Sequence, residues 1–382
     1  MLWLWAAALL GGVGQSLSGS AGALLAQRIG GSAVAAGLPQ TVLVIGSALA
    51  ALGLSRLTTR IGRNRALAVG AATAAAGALV VVVAAQARSL GFVLGGNFLL
   101  GAGSTTVMLA RYAAADLVPT GQRARAMGSV LAATTIGAVA GPNLLSATSA
   151  FGTGIGLPPL TGPYLVGACA FGAAVVILAL GSSGAPRPTR APRGPAPAWS
   201  RRNLAGLGIL GAANLVMVAV MTMAPVQLHD LGTGLTMIGL VISGHIAGMF
   251  LPSPVSGWLT DRFGPLLTAL LGAATLVTAC VWAAAAPADP MLAGSMVLLG
   301  VGWNLALLSG SALLTADVPK QRRPEREGWG ETGMGIAASC GGFGSGLVMT
   351  EGSYPMLAVA GAVIAVMLLP AALSAYSASG TR

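Results

Sequence analysis

Charge is what this 382-residue sequence lacks most: Asp, Glu, Lys and Arg make up 8% of it, against 55% hydrophobic residues. Soluble domains carry roughly a quarter charged residues, so a water-soluble globular fold is excluded. A mean hydropathy of +0.82 leaves almost no room for a separate aqueous domain. The groups that chemistry needs are missing as well. No GxxxxGKS/T loop is present to cradle nucleotide phosphates, which excludes ATP-driven transport by this chain alone. Neither HExxH nor a Ser-His-Asp arrangement occurs, and two histidines leave little acid–base capacity, so an enzyme is not expected. The three cysteines, Cys169, Cys280 and Cys340, stand singly in apolar runs without CxxC spacing. That excludes a disulfide framework or zinc site and predicts buried free thiols. The opening MLWLWAAALLGG has no basic n-region and no Ala-x-Ala site after it, and reads as a retained first span rather than a secretory signal.

What is present is a succession of apolar runs. A bilayer span needs about 20 apolar residues, and twelve such stretches occur: 2–25, 38–56, 66–87, 90–113, 127–149, 162–181, 203–226, 235–257, 265–286, 290–314, 332–350 and 354–376. A Pro- and Arg-rich segment at 182–202 separates the first six from the last six and is too polar to span. The expected domains are therefore 1–181 and 203–382, joined by a cytoplasmic linker. The net charge of +11 is not a nucleic-acid footprint, because the basic residues fall at span ends and no zinc-finger, helix-turn-helix or aromatic-basic pattern accompanies them. With both termini inside, cytoplasmic segments hold 18 of the 20 Lys and Arg residues, leaving only Arg28 and Arg88 on the other side. That asymmetry sets the expected orientation in the cell (inner) membrane.

The halves echo each other. Arg60-Ile-Gly62-Arg63 is repeated as Arg262-Phe-Gly264 at an offset of 202, and Gly101-x-Gly103 as Gly300-x-Gly302 at 199. Ala115-Asp116-Leu-Val-Pro119 returns as Ala316-Asp317-Val-Pro319. Like positions on the same membrane side mean two parallel six-helix repeats, which place a cargo site near the midplane.

Two helix-spaced pairs are the candidate site: Met217-x3-Met221 and His245-x3-Met249, on consecutive spans and 24 residues apart from Met221 to His245. Side chains at i and i+4 share a helix face. Three thioethers and an imidazole suit a soft ion such as Cu(I). Individually the methionines also serve as filler for irregular helix contacts. His245 at mid-span is costly in lipid, so it faces a cavity or partner, or it is a neutral imidazole donating to a backbone carbonyl between helices. Trp303 and Asn304 offer a ring and an amide towards the midplane, for stacking and hydrogen bonding with a flat organic solute or for helix packing. Glu331 has two readings, proton coupling or an ion pair with the basic loop Lys320–Arg326, and the ion pair is preferred.

Along its whole length the chain resembles the major facilitator superfamily. Gly257-Trp-Leu259-Thr-Asp261-Arg262-Phe-Gly264 is similar to that family's G-x-L-x-D-R-x-G loop signature. The resemblance implies a gate latch whose carboxylate sits near a helix N-terminus. The first-half copy keeps Arg60, Gly62 and Arg63 but has Ser55 for the glycine and Thr59 for the aspartate. Asn97-x3-Gly101-x-Gly103 stands where a proton-coupling motif of the family has arginine in place of Asn97, which is taken as a cavity residue. Gly137-x3-Gly141-Pro142 resembles part of an exporter motif, and small residues at that spacing also serve tight helix contacts. Met217-x3-Met221, His245-Ile-Ala-Gly-Met249-Phe-Leu-Pro-Ser-Pro, Gly300-Val-Gly-Trp303-Asn304 and Arg111-Tyr-Ala-Ala-Ala-Asp116 resemble a narrower group, the CcoA-type copper importers and their riboflavin-importing relatives. The resemblance implies an all-α major facilitator fold of twelve transmembrane helices in two six-helix bundles. It implies a secondary transporter working by alternating access, with copper ion as first-choice cargo. Riboflavin or a similar solute is second, and proton-linked export of hydrophobic compounds third. The partners expected are the lipid bilayer and a small-molecule or metal-ion cargo, with no nucleic acid and no permanently bound cofactor. The chain is expected to act as a monomer.

Overall fold

A computed structural model describes residues 1–31, 33–181, 198–286 and 291–368. Among the described residues the chain is entirely helical: α1 Leu2–Gly30, α2 Ala33–Ile61, α3 Arg63–Gln86, α4 Leu90–Ala115, α5 Arg123–Gly154, α6 Gly162–Leu180, α7 Arg201–Asp230, α8 Leu235–Phe250, α9 Ser253–Phe263, α10 Pro265–Ala285, α11 Met291–Leu314, α12 Arg323–Glu351 and α13 Tyr354–Val366. The α8–α9 pair forms one apolar stretch, Met237–Phe263, broken at Pro252, which has no amide hydrogen to continue the ladder. Thirteen helices thus make twelve segments in the order expected. Eight are long and apolar enough to cross a membrane by themselves. A bent pair, Thr120–Gly141 and Asn143–Gly154 at 57°, makes a ninth.

Boundaries differ from the sequence reading in a consistent way. The α2 helix extends beyond 38–56 at both ends and carries Arg56 and Arg60 on its last turns, and α9 carries the D-R-x-G signature as helix rather than loop. A polar residue at a helix end satisfies its backbone by continuing the ladder, so the helix outlasts the hydropathy run. Most of the expected linker (182–197), and the end of the twelfth span beyond 368, lie outside the described residues. The thiols also need correction: all three are free, but only Cys280 is buried, whereas Cys169 and Cys340 are exposed. In a membrane chain an apolar surface faces lipid, so an apolar neighbourhood does not imply burial.

Contacts divide the chain into two units. The first holds 1–117, 133–193 and residues 327–332 of α12; the second holds 118–132, 194–326 and 333–382. Within each, the repeat seen in sequence has a packing reason. In the first unit, a Cβ on Gly101 of α4 would strike the α2 backbone at Leu43, Gly46 and Ser47. In the second, a Cβ on Gly300 of α11 would strike the α8 backbone at His245, Gly248 and Met249. Two helices touching backbone to backbone is how apolar spans adhere where no hydrophobic drive exists between them. The repeat also conserves helix starts. Gly62 precedes α3 at φ 92° and Gly264 precedes α10 at φ 88°, a left-handed region that penalises any side chain. At the start of α7, Ser200 and Asn203 form a reciprocal cap, and the Asn203 amide also donates to Leu314 and Ala316 carbonyls at the end of α11.

Candidate transport site and gate

The candidate site belongs to the second unit, where α11 packs against both α7 and α8. Met217 on α7 is buried, Met221 one turn on is half-buried, and Met249 on α8 is half-buried. His245 is 2% exposed. Its Nδ1 lies 2.8 Å from the Met296 carbonyl of α11, a bond in which the ring must be donor because a carbonyl only accepts. That fixes the neutral tautomer and leaves Nε2 with a bare lone pair; Nε2 is buried and has no hydrogen-bond partner. The backbone-carbonyl reading of His245 therefore accounts for one nitrogen and not for the other. The Met296 thioether in turn lies 3.9 Å from the Tyr354 hydroxyl, which sits 3.4 Å from the Val220 carbonyl of α7. These contacts join α8, through α11, to α7 between Met217 and Met221.

The three residues named as cavity candidates each hold hydrogen bonds within their own unit. Trp303 is 3% exposed, its indole N–H donates to Asn214 Oδ1 at 2.9 Å, and its ring meets Phe250 edge-on at 5.9 Å. Asn214 completes its own bonding by donating to the Met334 carbonyl at 2.7 Å. Asn304 donates to the Met249 carbonyl at 2.7 Å and to Ser253 Oγ at 2.6 Å, bracing the α8–α9 break. In the first unit, Asn97 is buried and donates to the Val93 carbonyl of its own helix at 2.8 Å, with its Oδ1 and the Tyr164 hydroxyl close to Gly22. All three are packed because a side-chain amide or indole in a small-residue bundle finds backbone carbonyls more readily than solvent. The contact that sets His245 in place depends on Gly300. Gly300→Val is expected to cost about 1–3 kcal/mol by overpacking against the α8 backbone, read as a lowered melting temperature in detergent.

The residues expected to form a gate begin with Asp261. Asp261 of α9 accepts from the Ala124 N–H at 3.0 Å and the Arg125 N–H at 2.8 Å, in the first turn of α5. These amides are donors the helix itself cannot satisfy, and the dipole favours a carboxylate there. Gly257 makes the approach feasible, since a Cβ there would strike Ala124 and Arg125 backbone. A cavity of about 210 Å³ opens beside them, lined by Gln122, Arg125, Trp258, Asp261 and Arg262. Arg262 itself is exposed and lies 5.9 Å from the Phe263 ring centroid.

The first-half copy is built differently. Thr59 has no such role; its hydroxyl donates to the Arg56 carbonyl of its own turn at 2.7 Å, and Arg60 is exposed. Arg63 carries the load instead. Its Nε donates to Asp116 at 2.7 Å, while Nη1 and Nη2 fork onto both oxygens of Glu327 at 2.6 and 3.0 Å. Nearby, Arg111, fully buried, donates from Nη2 to Glu331 at 2.6 Å and from Nη1 to the Met108 carbonyl at 2.8 Å. So Glu331 is in an ion pair, but with Arg111 of α4 rather than the expected basic loop. Glu327 and the pairing role of Arg111 were missed in the sequence. The available signal was the four-residue spacing of Glu327 and Glu331, two of only nine acids in the chain.

Comparison with known proteins places this architecture. The Major Facilitator Superfamily model matches residues 4–225 and 205–379. The uncharacterized MFS-type transporter YddS of Bacillus subtilis is 37% identical over 95% of this chain and 87% of its own length. The riboflavin transporter RfnT of Brucella anthropi is 24% identical over 92% of this chain and 89% of its own. The crystal structure of the human organic anion transporter MFSD10 superposes with a TM-score of 0.78 over 97% of this chain and 98% of that one; at 14% identity the likeness is one of fold. With its repeated glycine pattern, its D-R-x-G motif and a family match over nearly its full length, the chain belongs to the major facilitator superfamily of secondary membrane transporters.

Proposed function

We propose that this transporter imports a small cargo recognised at Nε2 of His245, and that the cargo is copper as Cu(I). The observation that carries the reading is the buried, unpartnered Nε2 with its tautomer fixed by the Met296 carbonyl. A histidine that ligates a metal characteristically donates its other ring N–H to such an acceptor. Met249 follows one turn later on α8, and Met217 and Met221 stand on α7. Neutral thioether and imidazole donors suit a soft monovalent ion and bind it weakly enough to release it. Asp261 acts as a latch on α5, and Arg60, Gly62, Arg63, Arg262 and Gly264 complete the two gate regions. The chain sits in the cell (inner) membrane as a monomer with both termini cytoplasmic, in keeping with its charge asymmetry.

A second reading is uptake of riboflavin or a similar flat solute, favoured by the likeness to RfnT. There Nε2 would accept a hydrogen bond from the cargo. Radiocopper and riboflavin uptake in deficient cells separates the two. Under the first reading, His245→Leu lowers copper uptake by about 10- to 100-fold and Met221→Leu lowers it less. Copper uptake that is absent in the wild type, or unchanged in both variants, sinks copper. Riboflavin uptake lost in His245→Leu but kept in Met221→Leu establishes the second reading.

A further inference from the structure

By the charge pattern of the sequence, Arg28 and Arg88 are the two cations expected on the side opposite the other 18, and the fold brings both into one cavity. Arg28 lies in the last turn of α1 and Arg88 in the turn between α3 and α4, 60 residues later. The cavity measures about 250 Å³ and is completed mainly by Leu25, Ile29, Pro158 and Pro159, all within the first unit. A cation at a helix C-terminus complements the helix dipole, which explains either arginine alone. It does not explain why two like charges share a concavity. Among the described residues no carboxylate lines this cavity, and neither guanidinium is in an ion pair. Arg88 also holds a positive φ of 50°, which disfavours any residue with a side chain. Its backbone is tied by Arg88 N–H to the Ala85 carbonyl at 3.3 Å and Ser89 N–H to the Ala84 carbonyl at 3.0 Å. These are the two bonds of a left-handed cap that ends α3, and they fix the Arg88 backbone at the rim of the cavity.

We propose that this cavity binds a phosphoryl anion. Two guanidinium forks match phosphate oxygens in geometry as well as charge. The apolar wall of Leu25, Ile29 and the two prolines receives the ester carbons of a phosphodiester, as in the headgroup of an anionic phospholipid. Inorganic phosphate shares the anionic chemistry without the apolar part, and the experiment tells the sources apart.

The test uses the full-length protein purified in a zwitterionic detergent. Binding of phosphatidylglycerol, phosphatidylcholine and inorganic phosphate is measured by native mass spectrometry and by shift in melting temperature. Wild type is compared with Arg28→Gln, Arg88→Gln, the double variant and Arg65→Gln, an exposed arginine at the other end. Each single variant is expected to weaken phosphatidylglycerol binding about tenfold, for one lost charge-assisted fork. The double variant loses it, and Arg65→Gln leaves it intact. Arginine-dependent binding of inorganic phosphate as tight as that of the lipid assigns the site to a soluble anion and still supports it. Wild-type protein gives an independent readout: phenylglyoxal modification of Arg28 and Arg88, followed by peptide mass spectrometry, slows when the anion is present. Binding unchanged in the double variant, or no protection of either arginine by any of the anions, overturns the proposal.

Discussion

Replacing Glu331 by leucine is expected to destabilise the protein by about 3–5 kcal/mol, the cost of leaving a buried charge without its partner. The pair is placed to make this loss nearly complete. Arg111 is fully buried and Glu331 only 8% exposed, with 2.6 Å between Nη2 and Oε1. The Met108 carbonyl, the Tyr112 hydroxyl at 3.3 Å and the Tyr112 ring, whose centroid lies 4.5 Å from the guanidinium carbon, are among the cation's other contacts. None of a carbonyl, a phenol hydroxyl or a ring face carries the negative charge that would neutralise it, and water has little access. Arg111→Met alone is expected to cost less than Glu331→Leu, because a lone carboxylate can take up a proton and a guanidinium does not release one. Combining Arg111→Met with Glu331→Leu should recover most of the loss, since an apolar pair of similar volume has no desolvation penalty. Melting in detergent across the four proteins measures the cycle. Equal melting temperatures for wild type and Glu331→Leu would mean that water reaches the pair.

The same pair shows where sequence reading stops. The fold was legible because its causes are periodic or local: apolar runs long enough for a bilayer, a charge bias at their ends, and glycines repeated at offsets near 200. Gly101 and Gly300 repeat because each meets a helix backbone, so the sequence echo has a direct packing cause. The carboxylate of Asp261 lies at a helix N-terminus, as the signature implied. Pairing across 220 residues, as between Arg111 and Glu331, leaves no local trace, and the nearer basic loop was the obvious wrong partner.

The candidate site was legible as a place more than as a surface. Helical spacing put Met217 with Met221 and His245 with Met249 on shared faces, but it could not say that α11 would lie against both helices. Nor could it distinguish a polar group lining a cavity from one bonded to a carbonyl. Trp303 and Asn304 kept two readings, solute contact and helix packing, for that reason, and Asn214, the partner of Trp303, carries no motif at all. The orphaned Nε2 of His245 follows from one bond to a residue 51 positions away, which spacing within a helix cannot reveal.

The second large effect concerns the unequal hydrogen bonding of Asp261 and Thr59. Asp261→Ala removes both hydrogen bonds that hold the first turn of α5, 3.0 and 2.8 Å long. Caps of this kind are worth about 0.5–2 kcal/mol, and bonds to a charged acceptor lie at the upper end or above it. A loss of about 2 kcal/mol is expected. Asp261→Asn keeps one acceptor oxygen but loses the charge that complements the dipole, so it should fall about halfway between Ala and wild type. Thr59→Ala, at the corresponding position of the other repeat, should change stability by less than about 0.5 kcal/mol. The Thr59 hydroxyl serves only its own helix turn, through the Arg56 carbonyl. Trypsin supplies a local readout, because Arg123 and Arg125 lie in the α5 turn that Asp261 holds. Cleavage there should accelerate in Asp261→Ala and stay at the wild-type rate in Thr59→Ala. Equal acceleration in both would mean that the repeats latch alike. In the first repeat the charged contacts are held by Arg63, which binds both Asp116 and Glu327, and Thr59 takes no part in either pair, so only the Asp261 substitution is expected to loosen a helix start.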